Sequence, residues 1–431
     1  MRTALALVIT LSLAVTGGLA GCIDTPATLP DDVDVASTEA IQASLTALLR
    51  DVPCEADSVS NAATSNNLLD VGAALFPDDD LGEVDVFGDL MIVALHSGGG
   101  VGLVDIRDPQ NPQTLSTFLI EGSNGADVKW TSDGAYALVG GSSGRIDLVD
   151  FSDPVEPVLA NSFIFADNGL SGQAHMLTVG VVDGVEYIFV ATQVDLQPLL
   201  ILKRDGTQLT LAGTWGATPV IASGPLGNHD MTFVIDEMRD DAPTLYVADG
   251  TNGWHVLDLT DPAKPTRIGG AVTAAADYTH TVRVTFQDGK RLVVTMSEVG
   301  DNKLRIWDAS DLMLPILLAE WQADRTNPQA PQHNIQIVGN HLFMAHYTNG
   351  FFVFDIADMG GAMPVAGSLE LTPSAHWSVP EAGQADVLGF ANIWDIVVIN
   401  GVIWTSDMQT GLHSVGFGCL SPGDVTLTAG Q

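Results

Sequence analysis

The sequence predicts an all-β protein, a β-propeller of seven blades within a range of six to eight. Short runs of β-branched and apolar residues recur along the 431 residues, bounded by Gly, Pro, Asn or Asp as strands and turns require. A similar stretch returns at intervals of about 40–55 residues, a period typical of propellers and repeat arrays. The hydrophobic content of 46% is ample for a large core.

The shared stretch is a strand that ends in aspartate and is followed by a turn. It reads GLVDIRDP at 102–109, IDLVDFSDP at 146–154 and HVLDLTDP at 255–262, with weaker copies at 305–311 and 353–358. Aspartate bonds its own backbone and proline fixes φ, so both residues favour the turn.

These segments resemble LVIVD repeats, a family of bacterial exported β-propellers whose blades carry a Leu-Val-Ile-Val-Asp-like strand before a Ser-Asp-Pro turn. Residues 333–350 and 394–412 are similar to the same family, so the resemblance covers roughly 68–419 and implies the propeller fold. Residues 200–206, in the third blade, depart from it because they lack the aspartate and the Pro turn of the repeat.

The turns divide this region into seven blades, with approximate bounds of 83–122, 125–168, 173–218, 228–275, 279–325, 332–372 and 392–419. The last blade lacks an outer strand, which residues 68–75 can supply from the N-terminal side. The ring is therefore expected to close with strands from both ends of the chain, which limits exposed strand edges. Residues 68–419 are assigned to the propeller and 420–431 to a C-terminal tail.

The N-terminus resembles a lipoprotein signal peptide over residues 1–21. A positive start precedes an apolar run at 4–15, which is too short to span a bilayer, and LAGC follows at 19–22. The resemblance implies cleavage before Cys22 and lipid on that thiol, which anchors the protein to a membrane. The alternative is an ordinary secretory signal with a chance cysteine. Ile23 favours the outer membrane or cell surface of a bacterial cell envelope.

Residues 22–67 are interpreted as a lipidated tether. Within it, 37–50 are predicted to form a short helix whose apolar side consists of Ala40, Ile41, Leu45, Leu48 and Leu49. Cys54 near its end and Cys419 at the end of the repeats form an even pair, and an exported compartment permits a disulfide between them. Such a bridge would tie together the two ends of the propeller; two free thiols are the alternative.

The formal charge is −37, from 53 acidic and 16 basic residues. Nucleic acid is excluded as a partner, because binding phosphates requires Lys and Arg. The acids are dispersed, which indicates a solvated acidic surface; a salty habitat or loosely bound divalent cations would also account for them. Asp78, Asp79 and Asp80 form an acidic turn that is either a calcium site or merely solvated.

Four histidines, His175, His229, His280 and His333, open strand-like segments in successive repeats at spacings of 51–54 residues, although the chain has only 10 histidines. The first strand of a propeller blade lines the central channel, so these side chains are expected near one channel mouth. Alignment places Asp127 and Trp394 at equivalent positions in other blades. The loops on that face add His96, Asp249, Glu298, His346, Tyr347 and Asp407.

Two interpretations of the histidines stay open. Imidazole and carboxylate ligands suit iron, copper or zinc, so the mouth is a candidate metal site. Alternatively, duplication copied a structural histidine that bonds within its own blade, as in the unrelated WD-repeat propellers. His376 and Trp377 fall in a long insertion at 373–391, which is expected to be a surface loop or a cover over the mouth.

The sequence favours a lipid-anchored, exported propeller that acts as a binding or scaffold module for a protein, peptide or glycan. The alternative is a metal-dependent enzyme, in particular an oxidoreductase, that uses the four histidines. The sequence contains no nucleophile elbow, phosphate-cradling loop, Cys-x-x-Cys or His-Glu-x-x-His motif. Whether the protein is an enzyme therefore stays open at this point.

Overall fold

The structure is a computed structural model. It describes residues 38–54, 65–76, 79–193, 198–216, 227–272, 278–300, 302–322, 332–361, 369–377 and 393–420. The predicted signal peptide, Cys22, Ile23 and most of the C-terminal tail lie outside these residues. No helix in the described part of the chain is long and apolar enough to cross a membrane.

Seven antiparallel sheets form the blades, and the first strand of each blade starts at the channel. Blade one contains β2 (Leu81–Phe87), β3 (Leu90–Leu95), β4 (Gly100–Asp105) and β5 (Gln113–Leu119). Blade two contains β6 (Gly125–Trp130), β7 (Tyr136–Gly141), β8 (Arg145–Asp150) and β9 (Val158–Ile164). Blade three contains β10 (Met176–Val182), β11 (Val185–Ala191), β12 (Leu199–Asp205) and β13 (Gln208–Trp215).

The other four blades repeat this order. Blade four contains β14 (Asp230–Asp236), β15 (Ala242–Ala248), β16 (Trp254–Asp258) and β17 (Thr266–Ala271). Blade five contains β18 (Thr279–Gln287), β19 (Lys290–Ser297), β20 (Lys303–Asp308) and β21 (Ile316–Gln322). Blade six contains β22 (Ile335–Val338), β23 (His341–Ala345), β24 (Phe351–Asp355) and β26 (Ala375–Trp377). Blade seven contains β27 (Ile393–Ile399), β28 (Val402–Asp407), β29 (Gly411–Phe417) and β1 (Leu68–Asp70). The prediction of an all-β, seven-bladed propeller is confirmed.

The ring closes as predicted, with one strand from the N-terminal side. Strand β1 runs antiparallel to β29, with Leu68 opposite Phe417 and Asp70 opposite Val415. Leu68 and Phe417 are buried in the apolar cluster between blades six and seven. Burial of this side of β1 fixes its register, because a shift by one residue would turn the apolar side chain to the solvent.

The predicted helix is present as α1 (Thr38–Leu49), and it lies against blade seven. Its Ile41 and Leu45 are buried, and Leu45 packs in the cluster that contains Trp404. A Cβ atom added at Gly416 would lie 2.3 Å from Leu49 Cδ2, so a larger residue there would force the Leu49 side chain to move. A disulfide then joins Cys54 to Cys419, with the Cα atoms 4.4 Å apart.

The outer strand of blade six differs from the one predicted from the sequence. Its outer strand is β26, which pairs antiparallel with β24, whereas Trp377 and His376 were assigned to an insertion after residue 372. The short strand β25 (Leu369–Glu370) instead lies parallel to β21 of blade five. The Trp377 ring stacks on Phe351 at 5.3 Å between centroids, and its Nε1 donates to Asp70 Oδ1 at 2.8 Å. Burial of this aromatic side chain places β26 in the blade, and the rest of the predicted insertion lies outside the described residues.

Candidate functional site

The four histidines lie where the innermost strands begin. His175 and His229 precede β10 and β14, His280 is in β18, and His333 precedes β22. In β18, Thr279 pairs with Ser297 and Thr281 with Met296, so His280 is the extra residue of a β-bulge. Trp394 occupies the same kind of bulge in β27. Bulges commonly re-aim a side chain next to a functional site.

The rings of these residues form a continuous row around the channel mouth. Successive centroids are 4.4, 3.8, 4.6 and 4.2 Å apart along His175, His229, His280, His333 and Trp394. The structure thus brings the four histidine rings next to one another. Their role as metal ligands stays a prediction.

Hydrogen bonds hold all four imidazoles in orientation. His175 Nε2 and His229 Nε2 are 2.9 Å apart, so one of the two rings donates to the other. His333 Nδ1 lies 2.7 Å from the carbonyl oxygen of Trp394, to which it donates. His280 Nδ1 lies 2.7 Å from Thr281 Oγ1. A ring whose one nitrogen is fixed by such a bond presents its other nitrogen in a defined direction.

Burial keeps these imidazoles uncharged. It lowers the pKa of His175 to about 3, and positive charge on His333 or His96 acts in the same direction. Burial likewise lowers the pKa of His229 and His280 well below its usual range. The pKa of His333 is also lowered by burial, although Glu298 acts in the opposite direction. At neutral pH all four rings are therefore neutral, which is the form that binds metal ions.

Glu298 follows β19 and adds a carboxylate to the row. Its Oε1 accepts a hydrogen bond of 2.7 Å from Tyr347 Oη, and its Oε2 lies 3.6 Å from His280 Nε2. Burial and the adjacent Glu298 raise the pKa of Tyr347 well above its usual range, so the phenol stays a donor. The Tyr347 ring also lies 4.9 Å from that of His333.

The other predicted mouth residues divide into two groups. His96 joins the row, since its ring lies 5.3 Å from Trp394, while its Nδ1 lies 3.2 Å from Asp80 Oδ2. Three other loop residues make contacts outside this row. Asp249 lies 3.3 Å from His255, His346 packs on Trp321 and Phe352, and Asp407 accepts the backbone N–H groups of Gln409 and Thr410. Asp80 is described, but Asp78 of the suggested calcium turn lies outside the described residues.

Asp127 lies one residue deeper than the alignment placed it. Gly125 pairs with Gly141 and Asp127 with Gly140, so Ala126 is the bulged residue that corresponds to His280. Asp127 therefore corresponds to Thr281. Its carboxylate accepts from the backbone N–H of Leu177 and lies 2.7 Å from Lys129 Nζ.

Below the histidines, the channel contains a network of polar side chains. This network was not predicted from the sequence. A cavity of about 70 Å³ lies there, and it is lined by Glu83, Asp85, Lys129, Asp230, Arg283 and Asp395 among others. Glu83 Oε1 accepts from Asn334 Nδ2 at 2.5 Å and from Trp394 Nε1 at 3.1 Å. Burial raises the pKa of Asp85 to about 6 and that of Glu83 well above its usual range. The sequence pattern that could have predicted this network is a polar residue at every second position of the innermost strands. Alternate residues of a strand face the same side, so these polar side chains all face the channel.

The geometry favours a different ligand set from four histidines. Within the described residues, His229, His280 and Glu298 form a group whose potential ligand atoms all lie within 4.8 Å of one another. His175 adjoins it through His229, whereas His333 is bonded to a backbone carbonyl. Two neutral imidazoles and a carboxylate are suitable ligands for iron, copper or zinc.

Comparison with known proteins supports the fold and the repeats. A model of the LVIVD repeat matches residues 131–164, 245–273 and 332–360, and no curated protein matches the chain. The β-propeller domain of Cps50 (Swd1) from Myceliophteria thermophila is similar, with TM-score 0.55, 11% identity and coverage of 81% of this chain and 98% of that one. The WD40 β-propeller domain of Doa1 has TM-score 0.53 and 13% identity, with coverage of 81% and 97%. The chain is thus a seven-bladed β-propeller that contains LVIVD repeats.

Proposed function

We propose that the protein is an exported, lipid-anchored propeller that acts as a binding or scaffold module of the bacterial cell envelope. The observation that carries the proposal is the closure of the ring, where β1 completes blade seven and the Cys54–Cys419 disulfide joins the end of the tether to the end of the propeller. A rigid disc held at one point to a tether is suited to presenting its loops to a partner.

Three further features support this location. Disulfides persist in oxidising compartments, and the bridge spans 365 residues of sequence. The LAGC sequence at residues 19–22 resembles a lipidation site. The charge of −37 supports solubility of the exposed disc and disfavours nucleic acid as the partner. A protein, peptide or glycan is the class of partner that this surface suits.

Anchoring is tested by producing the full chain in a bacterial host fed an alkyne-labelled fatty acid. We expect label on the wild type and on a Cys54→Ser, Cys419→Ser variant, and none on Cys22→Ser. We also expect the wild type in the membrane fraction. Wild-type protein without label, or label that persists in Cys22→Ser, would contradict the anchor.

Binding is tested by photo-crosslinking in cells from the two faces of the disc. A photoreactive residue replaces Val299, which is 48% exposed in the loop after β19 on the mouth face. The matched control replaces Asp288, in the turn between β18 and β19 on the opposite face. We expect a discrete adduct from position 299 and none from 288. Absence of adducts from both positions would count against a binding module that works through the mouth loops.

A metal-dependent enzyme, in particular an oxidoreductase, is the second candidate function. The observation that favours it is the row of buried, neutral imidazoles beside Glu298 at the mouth. Such an enzyme should lose its turnover on treatment with a chelator and regain it with iron or copper. Turnover that survives complete metal removal would contradict this candidate.

A further inference from the structure

Two acceptor atoms face each other at the channel mouth. His280 Nε2 is buried and has no hydrogen-bond partner, and Glu298 Oε2 lies 3.6 Å from it. The protonation of His280 follows from its other nitrogen. Thr281 Oγ1 donates its single proton to the carbonyl oxygen of His333 at 3.2 Å, so it must accept from His280 Nδ1–H at 2.7 Å. His280 Nε2 therefore carries a lone pair directed towards Glu298.

The Glu298 carboxylate opposite is held in place by a hydrogen bond from Tyr347. Tyr347 Oη donates to Glu298 Oε1 at 2.7 Å, which leaves Oε2 facing His280 Nε2 at 3.6 Å. A lone pair opposite a carboxylate oxygen is repulsive, and a buried nitrogen without a hydrogen-bond partner loses its hydration without compensation. A cation between the two atoms removes both penalties.

A third ligand comes from the neighbouring blade. The His229 ring lies tilted against that of His280, with centroids 3.8 Å apart. His229 is 2% exposed, and its Nδ1 atom has no hydrogen-bond partner. The ligand atoms of the trio lie within 4.8 Å of one another. Metal–nitrogen and metal–oxygen distances of about 2.0–2.2 Å place two ligands of one ion roughly 3–4 Å apart. The trio must therefore close from its present spacing, at which all ligand atoms lie within 4.8 Å of one another, when an ion binds.

We propose that His229, His280 and Glu298 bind one divalent transition-metal ion, and that Thr281 and Tyr347 are positioning residues for two of these ligands. Imidazole ligands select zinc, iron or copper, whereas magnesium and calcium take oxygen ligands. This site would hold the metal of the second candidate function. The proposal rests on that function only for the reaction, because metal binding itself is measured without any substrate.

The test uses the full chain with Cys22→Ser and no histidine tag. Metal content is measured by inductively coupled plasma mass spectrometry after incubation with Zn²⁺, Fe²⁺ or Cu²⁺ and gel filtration. Affinity for Zn²⁺ is measured by calorimetry, and Co²⁺ is added as a spectroscopic probe of the ligand geometry. We expect one ion per chain.

The decisive variant is Glu298→Gln. Glutamine retains an acceptor for Tyr347, and its amide N–H can donate to His280 Nε2, so this variant should fold at least as stably as the metal-free wild type. We expect Glu298→Gln and His280→Ala each to weaken Zn²⁺ binding by tenfold or more. The matched control is His341→Ala, which removes a histidine at the start of β23 and should leave affinity unchanged.

Wild-type protein that stays metal-free with all three ions would overturn the proposal, and so would Zn²⁺ affinity unchanged in Glu298→Gln. A loaded protein that shows no turnover would leave the metal site intact while contradicting the enzymatic function. The two failures are therefore distinguishable.

Discussion

Arg291 of blade five donates two hydrogen bonds to the carboxylate of Asp236 in blade four, Nε to Oδ2 at 3.0 Å and Nη2 to Oδ1 at 2.8 Å. Both side chains are buried. Tyr246 Oη donates to Asp236 Oδ2 at 2.9 Å, and Arg291 Nη1 donates to the carbonyl oxygen of Ala309 at 2.8 Å. The pair therefore joins two blades with most of its donors and acceptors satisfied.

Removing the cation from this pair should be costly. We expect Arg291→Met to lower the free energy of unfolding by about 3–5 kcal/mol, because it leaves a buried carboxylate without its partner. Lys303→Met removes a more accessible pair with Glu320 and should cost no more than about 1 kcal/mol. Denaturant unfolding followed by tryptophan fluorescence measures both. Equal losses of unfolding free energy would show that the Asp236–Arg291 pair stabilises the fold no more than the Lys303–Glu320 pair does.

The outer strand of blade six is tested at Trp377. Trp377→Ala should destabilise the protein by about 3–5 kcal/mol, because the ring is fully buried against Phe351. Trp377→Phe keeps an aromatic ring and loses mainly the hydrogen bond to Asp70, so it should cost less. Thermal and chemical unfolding give the comparison. Wild-type stability in Trp377→Ala would mean that residues 375–377 do not form a blade strand.

The disulfide should stabilise the closure of the ring. We expect the double variant Cys54→Ser, Cys419→Ser to lose about 2–5 kcal/mol of unfolding free energy, and dithiothreitol to have the same effect on the wild type. Hydrogen exchange should accelerate most in β1 and β29, the strands nearest the bridge. Unfolding that is insensitive to both treatments would show that strand pairing alone closes the ring.

Asp407 makes stability depend on pH in a predictable direction. Burial raises its pKa to about 6, although the backbone N–H groups of Gln409 and Thr410 act to lower it. A folded-state pKa above the unfolded value of about 3.9 gives stability that is present below pH 4 and lost as the pH rises through 6. Asparagine does not titrate and still offers an oxygen to both N–H groups.

The stability of the wild type relative to Asp407→Asn should therefore fall by up to about 3 kcal/mol between pH 4 and pH 8. Urea unfolding of both proteins across this range measures the difference. The prediction is wrong if the stability difference stays constant with pH, or if it grows in favour of the wild type.

Several features of the fold could be predicted because their causes are local. The Asp-Pro and Ser-Asp turns and the apolar runs between them specify strands without reference to distant residues, as in HVLDLTDP at 255–262. The missing outer strand of blade seven and the apolar residues around Leu68 were enough to predict ring closure. Blade six escaped prediction, because a fourth strand of three residues carries little pattern of its own and only the burial of Trp377 selects it.

The candidate site was only partly predictable. Repeat spacing and residue type identified the four histidines and Glu298 as candidate site residues. They also predicted Asp127, but a one-residue β-bulge places Asp127 below the row. The pairing of His280 with Glu298 depends on the loop after β19, and the orientation of His280 depends on Thr281 and on a carbonyl of the next blade.

The sequence by itself determined the repeating strands, the closure of the ring and the placing of imidazoles at one end of successive innermost strands. Only the tertiary structure decided which of these side chains meet, which atoms lack a partner and which acids share the buried channel. The physical reason is that contacts between blades join residues some 50 or more positions apart, such as His229 with His280 and Glu83 with Asn334. Their distances depend on bulges, loop paths and burial, which strand and turn patterns do not encode.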